Sequence, residues 1–389
     1  MSKLNRQKSF IIFFSVVFVI YFAIHIPLYI AGNHLLSGFP IIQPIFKLVF
    51  ILLASSFFAG RIIERIIPSI FSDTIVLTGS LWLAAILYFY IFLIAGLVIV
   101  FLLNLLNQTG IINFDYNNQF KITAFFSALT ATLMIIIVGF INALTPVVRQ
   151  LQLNVNKKAG KFNTLKIALA SDIHAGIIIG KRRLTRIINK INSVNADIIL
   201  LAGDLVDDDI NRLITKQLGN VFGKLNAPLG VYAITGNHEY IGNVVKAVTY
   251  FEKHGIRFLN DETITIENSL TIIGRRDKDS ERFSAIKRKT ISEILENIDK
   301  SKPLIMLDHQ PAEIKKVAEH SIDICFSGHT HHGQLWPLNY ITKAIYKLSW
   351  GYQYLNSTHY YVSCGAGSWG PPVRIGNRPE IVAITVVFN

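Results

Sequence analysis

Residues 165–174 read LKIALASDIH, and residues 196–207 read ADIILLAGDLVD. Each stretch is a short apolar run, typical of a buried strand, that ends on polar residues such as Asp172 and Asp204. Between them, residues 181–193, KRRLTRIINKINS, carry apolar side chains at helical spacing. A strand, a helix and a second strand in this order predict a βαβ unit with polar residues at the carboxyl edge of its sheet.

The same pattern continues towards the C-terminus. Six further short runs rich in β-branched residues follow: GVYAITG, LTIIG, PLIMLDH, IDICFSG, YYVSCGAG and EIVAITVVF. The alternation of such runs with helical patterns predicts a mixed α/β domain with buried strands. We expect this domain to span residues 164–389 and a polar linker to occupy residues 151–163.

The first 150 residues have a different composition. They hold 8 of the 38 Lys and Arg residues and 3 of the 25 Asp and Glu residues. Four apolar runs, at 9–31, 42–60, 75–106 and 120–147, are each about as long as the ~20 residues that a helix needs to cross a bilayer. We therefore predict a transmembrane helical domain over residues 1–150, with about four spans. The third run is long enough for one tilted helix, a helix with an interfacial turn, or two tight spans broken near Gly96.

Charges in the short loops predict the orientation of these helices. Lys and Arg precede the first run and follow the second and fourth, whereas the loops AGNHLLSGFP and NQTGIINFDYNNQ contain neither. Because positive charge marks cytoplasmic loops, we expect the C-terminal domain in the cytoplasm and the chain in the plasma (inner) membrane. A cleaved signal peptide is the alternative for the first run, but that run is long and lacks a small-residue cleavage site.

Cysteines and net charge exclude some classes of protein. Cys325 and Cys364 are too few for a disulfide framework, and Cys325 lies in an apolar strand pattern that favours a buried thiol. The formal net charge of +13 suits an anionic membrane surface or an anionic substrate, although solubility alone also explains it. No nucleic-acid partner is expected, because the basic residues are not interleaved with an aromatic stacking platform.

Residues with metal-binding chemistry follow five of the predicted strands. They are Asp172 and His174, Asp204, Asn237 and His238, His309, and His329 and His331. A single residue of this kind is more often a helix cap or a satisfied core histidine, but five strand ends in order are hard to explain by packing. Ligand sites in open α/β sheets form at the carboxyl ends of strands, so we expect one shared site.

The types of residue favour particular metals and a particular reaction. Mixed Asp, His and Asn ligands suit Mn, Fe, Zn, Co or Ni and fit an all-oxygen Mg or Ca site poorly. Two divalent cations roughly 3.5–4 Å apart would neutralise the charge of a phosphoryl group and acidify a water molecule, as phosphoester hydrolysis requires. A carboxylate that bridges two ions must be central, and Asp204 in GDLVD is the natural candidate.

The motifs SDIH, GDLVD, GNHE, LDHQP and GHTHHGQ, in this order, resemble the signature blocks of the calcineurin-like metallophosphoesterases. The C-terminal stretch VSCGAGSWGPPVRIGNRPEI and the membrane helices resemble the membrane-associated bacterial YkuE-like branch. The resemblance implies an N-terminal helical transmembrane bundle followed by an α+β four-layer (αββα) sandwich with two divalent metal ions. It implies that Asp172, His174 and His331 hold one ion, that Asn237, His309 and His329 hold the other, and that Asp204 bridges them.

The resemblance also implies roles in catalysis. A hydroxide shared between the metals would attack phosphorus in line, and His238 would stabilise the transition state or protonate the leaving oxygen. Glu239 would orient its loop, and His332, where the family often has Gly, would lie behind the ligands. The acidic residues 207–209 are best interpreted as a helix N-cap, with an extra acidic site as the alternative. Arg374, in a Gly/Pro loop after a strand, is a candidate to bind the substrate phosphate.

An aromatic segment between residues 336 and 361 bears on the substrate. Its Trp and Tyr residues include Trp336, Tyr340, Tyr346, Trp350, Tyr352 and Tyr354. Trp and Tyr concentrate where an apolar phase meets water, which favours an amphiphilic or lipid-linked phosphoester, although the rings would equally serve to cover the core of the domain. The leading hypothesis is a membrane-anchored phosphohydrolase that cleaves a phosphodiester or pyrophosphate bond. A phosphomonoesterase and a catalytically silent membrane scaffold or sensor are the alternatives, and the oligomeric state is left open.

Overall fold

The computed structural model describes residues 3–207 and 209–389. The chain divides into two compact units, Met1–Ile136 and Ile137–Asn389. The first unit contains long apolar helices, and the second contains both sheets of the protein. The fourth long helix begins in the first unit and ends in the second, so its last two turns belong to the same unit as the sheets.

Four helices are long and apolar enough to cross a membrane. They are α1 (Lys3–Leu35), α2 (Ile42–Ile66), α3 (Ile70–Gln108) and α4 (Asn118–Leu144). The third predicted run is one continuous helix of 39 residues. At 1.5 Å per residue α3 is about 58 Å long, which exceeds the ~30 Å hydrocarbon core and requires the helix to tilt or to extend into water. The structure thus has the four apolar helices that the hydropathy predicts.

The described part of the second unit contains two six-stranded sheets. In spatial order the first sheet is β1 (Val147–Val155), β12 (Glu380–Phe388), β2 (Thr164–Ala170), β3 (Ile198–Leu201), β4 (Val231–Ala233) and β5 (Arg257–Phe258). The second is β10 (Gly351–Leu355), β11 (Thr358–Val362), β9 (Ile324–Ser327), β8 (Leu304–Leu307), β7 (Leu270–Gly274) and β6 (Glu262–Ile266). All eight predicted strands are present.

The remaining elements of this unit are short helices. They are α5 (Lys181–Asn192), α6 (Ile210–Thr215), α7 (Gly219–Phe222), α8 (Asn237–Ile241), α9 (Val244–Glu252), α10 (Ser280–Ser284), α11 (Ile291–Ile294), α12 (Ile314–Ala318), α13 (Asn339–Ile345) and a 3₁₀ turn, His331–Gly333. The helix predicted between the first two strands is α5, whose apolar residues Leu184, Ile187, Ile188 and Ile191 are all buried.

The two sheets face each other across one apolar core. Ile167 and Leu169 of β2 belong to the same buried cluster as Ile305 of β8 and Phe326 of β9. Helix α5 covers the outer face of the first sheet at β2, and α11 and α12 form a second buried cluster with the outer face of the other sheet. The order helix, sheet, sheet, helix confirms the predicted αββα sandwich.

Two expected boundaries are wrong. The fourth apolar run, predicted to reach residue 147, ends as helix α4 at Leu144, because a residue directly before a proline, here Pro146, disfavours helical geometry. Residues 151–155 of the predicted linker continue strand β1, which pairs in parallel with β12. The apolar residues Leu153 and Val155 alternate with polar ones and are buried, so the polar composition concealed a strand pattern.

Candidate metal centre

The ends of five strands deliver the candidate ligands to one place. Asp172 and His174 follow β2, Asp204 follows β3, Asn237 and His238 begin α8 after β4, His309 follows β8, and His329 and His331 follow β9. Five of these residues have a left-handed backbone conformation: Asp172 (φ 50°), His174 (φ 50°), Asp204 (φ 53°), His329 (φ 72°) and His331 (φ 45°). This conformation costs of order 1–3 kcal/mol per non-glycine residue and concentrates at functional sites, where it sets the direction of a side chain.

One group of ligands consists of Asp172, His174 and His331, whose donor atoms all lie within 4.8 Å of one another. The Nε2 atoms of His174 and His331 are 3.0 Å apart, and His331 Nε2 is 3.6 Å from Asp172 Oδ1. Asp172 Oδ2 is buried and accepts no hydrogen bond from the described residues. Two imidazole nitrogens this close require a hydrogen or a cation between them, and the carboxylate beside them favours a cation.

The second group contains Asp204, His309 and His329, again within 4.8 Å of one another. His329 Nδ1 is 2.9 Å from Asn237 Oδ1, which adds an amide oxygen to this group. Nδ1 of His309 lies 2.7 Å from the carbonyl oxygen of Ala202. A hydrogen bond donated to that carbonyl leaves Nε2 of His309 directed into the site, as is usual for histidine ligands.

Asp204 lies between the two groups. Its Oδ2 atom is 3.1 Å from His309 Nε2 and 3.8 Å from His174 Nε2. Ligands bound about 2.0–2.2 Å from one cation lie roughly 3.0–3.6 Å from each other. The spacing to His309 is within this range, and the spacing to His174 is slightly longer. The other carboxylate oxygen, Oδ1, accepts a hydrogen bond of 2.9 Å from the backbone N–H of His238 and is thereby fixed in direction.

The charges of these groups depend on one another. Burial alone would raise the pKa of Asp204, but the nearby His309 and His238 hold that pKa well below its usual range. Burial would lower the pKa of His309, but the carboxylate of Asp204 raises it well above the usual range. Burial and the charge of His309 lower the pKa of His329 to about 4, so that its imidazole is neutral near pH 7 and has a lone pair to offer a metal.

Glu239 connects the loops that carry the ligands. Its carboxylate is fully buried and accepts four backbone N–H groups, from Asp204 (3.1 Å), Leu205 (2.7 Å), Val206 (3.1 Å) and Gly236 (2.7 Å). It therefore joins the loop after β3 to the loop after β4. These contacts agree with the expectation that Glu239 orients its loop and does not contact the substrate.

Asp207 lies close to two of the candidate site residues. Its Oδ1 atom lies 3.8 Å from His238 Nδ1 and 4.0 Å from His174 Nδ1. The helix N-cap expected in the acidic run 207–209 is present, but Asp207 is not the residue that forms it. The cap of α6 is Asp209, which accepts the N–H of Asn211 at 2.9 Å. Asp208 lies outside the described residues. The spacing in GDLVD, with acids three positions apart, was the signal for Asp207.

The structure does not support the expectation for Arg374, and the expectation for His332 is untested. The side chain of Arg374 is 0% exposed, and the loop 364–377 encloses it with inward-facing acceptors, so its guanidinium does not face an open substrate site. His332 contacts residues outside the ligand set: its Nδ1 atom lies 3.0 Å from Ser349 Oγ, and its ring is 5.0 Å from that of Trp350. Its place behind the ligands stays a prediction.

A buried cluster of Asp, Asn and His at the strand ends of an αββα sandwich defines the class of metal-dependent phosphoester hydrolases. The sequence profile of the calcineurin-like phosphoesterases matches residues 165–333. The chain belongs to the calcineurin-like metallophosphoesterases, which are hydrolases acting on phosphoric ester bonds.

Similar proteins come from bacteria and animals. An uncharacterized metallophosphoesterase of Aquifex aeolicus is 34% identical over 59% of this chain and 88% of its own length. A transmembrane protein with metallophosphoesterase domain from Bos taurus is 31% identical, and the alignment covers 66% of this chain and 61% of that protein. Among solved structures, a 5'-nucleotidase precursor from Thermus thermophilus aligns with a TM-score of 0.38 and 13% identity, over 57% of this chain and 55% of that one. The assignment to the YkuE-like branch stays a prediction.

Proposed function

We propose that the protein is a membrane-anchored phosphohydrolase that uses two divalent metal ions on either side of Asp204. The observation that carries the proposal is the position of this carboxylate, 3.1 Å from His309 and 3.8 Å from His174. Asp172, His174 and His331 would hold one ion; Asn237, His309 and His329 would hold the other. The mixture of oxygen and nitrogen ligands favours Mn, Fe, Zn, Co or Ni.

The chemistry divides between the cations and the protein. The bound cations would neutralise the phosphoryl charge and lower the pKa of a water molecule that attacks phosphorus. His238, on the first turn of α8, is placed to donate a proton to the leaving oxygen, with Asp207 beside its Nδ1 atom to orient the ring. Glu239 would fix the positions of Asp204 and His238 relative to each other, because it accepts hydrogen bonds from the loops that carry both residues.

We propose an amphiphilic or lipid-linked substrate, cleaved at a phosphodiester or pyrophosphate bond. Large apolar side chains remain exposed next to the site: Tyr340, Ile341 and Ile345 on α13, and Trp336 and Trp369. The ring of Trp369 lies 6.0 Å from that of His238, and Tyr346, at the end of α13, lies 6.0 Å from His329. Substrates with an apolar tail would bury these side chains. The alternative, that the aromatic rings only cover the core, fits Tyr346 and Trp350, which are half-buried.

The membrane helices and the rest of the chain would then have separate tasks. We propose that residues 1–150 retain the protein in the plasma membrane and that the domain of residues 164–389 hydrolyses its substrate on the cytoplasmic side. The distribution of Lys and Arg in the short loops supports this orientation. A reporter fused to the C-terminus should be active only in the cytoplasm, and periplasmic activity would contradict it.

A generic aryl phosphodiester and the matching monoester, each with added Mn²⁺, test the proposal. We expect turnover of both, faster for the diester, by the full chain in detergent. Asp204→Asn should lower kcat by at least about a thousandfold, because it removes a shared ligand. Asp209→Asn is the matched control, since Asp209 is an exposed helix cap that asparagine can replace.

Two results would change the assignment. Faster hydrolysis of the monoester would replace the diesterase with a phosphomonoesterase. Stoichiometric metal binding without turnover of either compound would contradict catalysis and favour a scaffold or sensor.

A further inference from the structure

Arg374 is an unusual buried cation. It is the largest fully buried side chain of the described residues, and burial of an arginine charge is costly unless its N–H groups find acceptors. Here they donate mainly to backbone and amide oxygens: Cys364 O (2.7 Å), Gly367 O (2.7 Å) and Asn377 Oδ1 (3.0 Å). These hydrogen bonds fix the orientation of the guanidinium inside the loop, which a smaller or neutral side chain would not reproduce.

Two contacts of Arg374 reach the metal centre. Its Nη1 atom donates to the backbone carbonyl of His331 at 3.4 Å, and its Nη2 atom lies 3.1 Å from His331 Nδ1, on the side of the ring opposite to the Nε2 atom that faces His174. Asn377 adds a hydrogen bond of 2.8 Å from its Nδ2 atom to the backbone carbonyl of His331. The backbone of this ligand is therefore held by the loop that contains Arg374, and its ring lies against the same guanidinium.

The backbone of Arg374 is bonded to a different part of the chain. Its N–H donates to the carbonyl oxygen of Gly139 at 2.9 Å, and its carbonyl accepts from Asn142 Nδ2 at 3.3 Å. Both partners lie in the last two turns of α4, within the second unit. A Cβ atom on Gly139 would lie 2.5 Å from Val373 Cγ1 and 2.7 Å from Ile375 Cδ1, so a larger residue would force these side chains to shift.

Other arginines fix the same end of α4. Arg183 donates to the carbonyl of Ala143 at 3.0 Å, and Arg186 donates to that of Leu144 at 2.8 Å. Arg378 donates to the carbonyl of Thr145 at 3.0 Å. These contacts satisfy the carbonyls that a helix leaves free at its C-terminus and interact favourably with its dipole. The end of α4 is therefore held firmly enough to influence the loop at Arg374.

We propose that Arg374 is a positioning residue that links the end of the apolar helix α4 to the metal ligand His331. A displacement of the last two turns of α4 would move the backbone of Arg374, and the side chains of Arg374 and Asn377 would carry the change to the backbone that orients His331. Affinity for one of the two metal ions would thus depend on the position of helix α4, which is apolar enough to cross a membrane. This inference rests on the proposed binding of two metal ions.

Binding of Mn²⁺ alone to the full chain in detergent tests the link, measured by calorimetry and by metal analysis. Arg374→Gln should weaken one of the two binding steps by about 10- to 100-fold, the usual effect of removing a residue that orients a ligand, and leave the other unchanged. Arg257→Gln is the matched control, because this exposed arginine lies on β5 and takes no part in the contacts between α4, the loop at Arg374 and His331. Its two binding steps should equal those of the wild type.

Two glycine variants test the contact between helix α4 and the loop that contains Arg374. Gly139→Ala should weaken the same step by about 3- to 10-fold, because the added methyl group must displace the loop at Val373. Gly96→Ala, in α3, meets nothing within 4 Å and should have no effect. These variants keep the test decisive if Arg374→Gln does not fold.

Unchanged binding in Arg374→Gln or in Gly139→Ala would overturn the inference, as would equal losses in Arg374→Gln and Arg257→Gln. These outcomes differ from failure of the proposed function, in which the wild type itself would not bind two Mn²⁺ ions.

Discussion

The carboxylate of Asp204 lies 3.1 Å from Nε2 of His309, although the two residues follow strands of different sheets. Asp204 comes after β3 in the first sheet, and His309 comes after β8 in the second. The pair therefore joins the two halves of the sandwich at the point where the ligands converge. Without a cation the pair is a buried ion pair, and with one it becomes a pair of neighbouring ligands.

This relationship predicts that metal loading releases protons. The raised pKa of His309 stabilises the metal-free protein fully below its ordinary value of 6.5, and this contribution is lost as the pH rises through the folded-state pKa. The lowered pKa of Asp204 stabilises it above 3.8, and this contribution is lost on acidification. A cation must displace the proton from His309 Nε2, so affinity for Mn²⁺ should rise by up to about tenfold per pH unit near neutrality.

Calorimetry in two buffers of different ionisation enthalpy would count the protons released. About one proton per ion bound at the His309 group is expected near pH 7. Heats that do not depend on the buffer, together with affinity independent of pH, would show that His309 is not a ligand.

Glu239→Gln should destabilise the second unit. The amide replaces one acceptor oxygen with an NH₂ group, which faces backbone N–H donors now bonded to the carboxylate. The loss should be about 2–3 kcal/mol, visible as a lower unfolding temperature of the full chain in detergent. Glu252→Gln, at an exposed position in α9, should leave that temperature unchanged. Equal stability of the Glu239 variant would mean that these four hydrogen bonds are not made in solution.

His238→Asn should separate substrates by their leaving groups. If His238 donates a proton to the leaving oxygen, kcat for an alkyl phosphodiester should fall by about 10²- to 10⁴-fold, because an alkoxide is a poor leaving group. An aryl diester, whose phenolate leaves readily, should lose much less. Asp207→Asn should show the same pattern with a smaller loss, since Asp207 lies 3.8 Å from His238 Nδ1. Equal losses for both substrates would assign His238 to binding.

The exposed apolar side chains of α13 provide a test of the amphiphilic substrate. Ile341→Ser combined with Ile345→Ser removes two residues that are 57% and 67% exposed. Partial burial of each against a lipid tail is worth about 1 kcal/mol, so kcat/KM for a phospholipid in mixed micelles should fall about tenfold or more. Hydrolysis of a soluble aryl diester should not change. Val245→Ser, equally exposed on α9, is the control, and a loss with the soluble substrate would contradict a role in lipid binding.

Much of the site could be predicted from the sequence because each ligand follows directly on a buried strand. The apolar runs before Asp172, Asp204 and His309 determine where those side chains emerge, and parallel strands bring their ends together. The sequence does not show which residue of the acidic run 207–209 caps a helix, because that depends on where α6 begins. Asp209 is the cap, which leaves Asp207 beside the candidate site.

The burial of Arg374 and the existence of strand β1 could not be predicted from local sequence patterns, for two different reasons. The burial of Arg374 follows from tertiary folding of a Gly/Pro loop around it, which composition does not indicate. Strand β1 lies at the edge of its sheet, so its alternation includes many polar residues and resembles a linker. The metal assignment of individual residues remains a prediction from geometry and resemblance.

The most direct test of the central claim is the Mn²⁺ content and EPR spectrum of the full chain and of its Asp204→Asn variant. The wild type should bind two Mn²⁺ per chain and show the spectrum of a spin-coupled pair, as expected for ions roughly 3.5–4 Å apart. Asp204→Asn should lose the coupling and at least one ion. A single uncoupled ion in the wild type, or an unchanged coupled pair in the variant, would contradict a metal pair shared through Asp204.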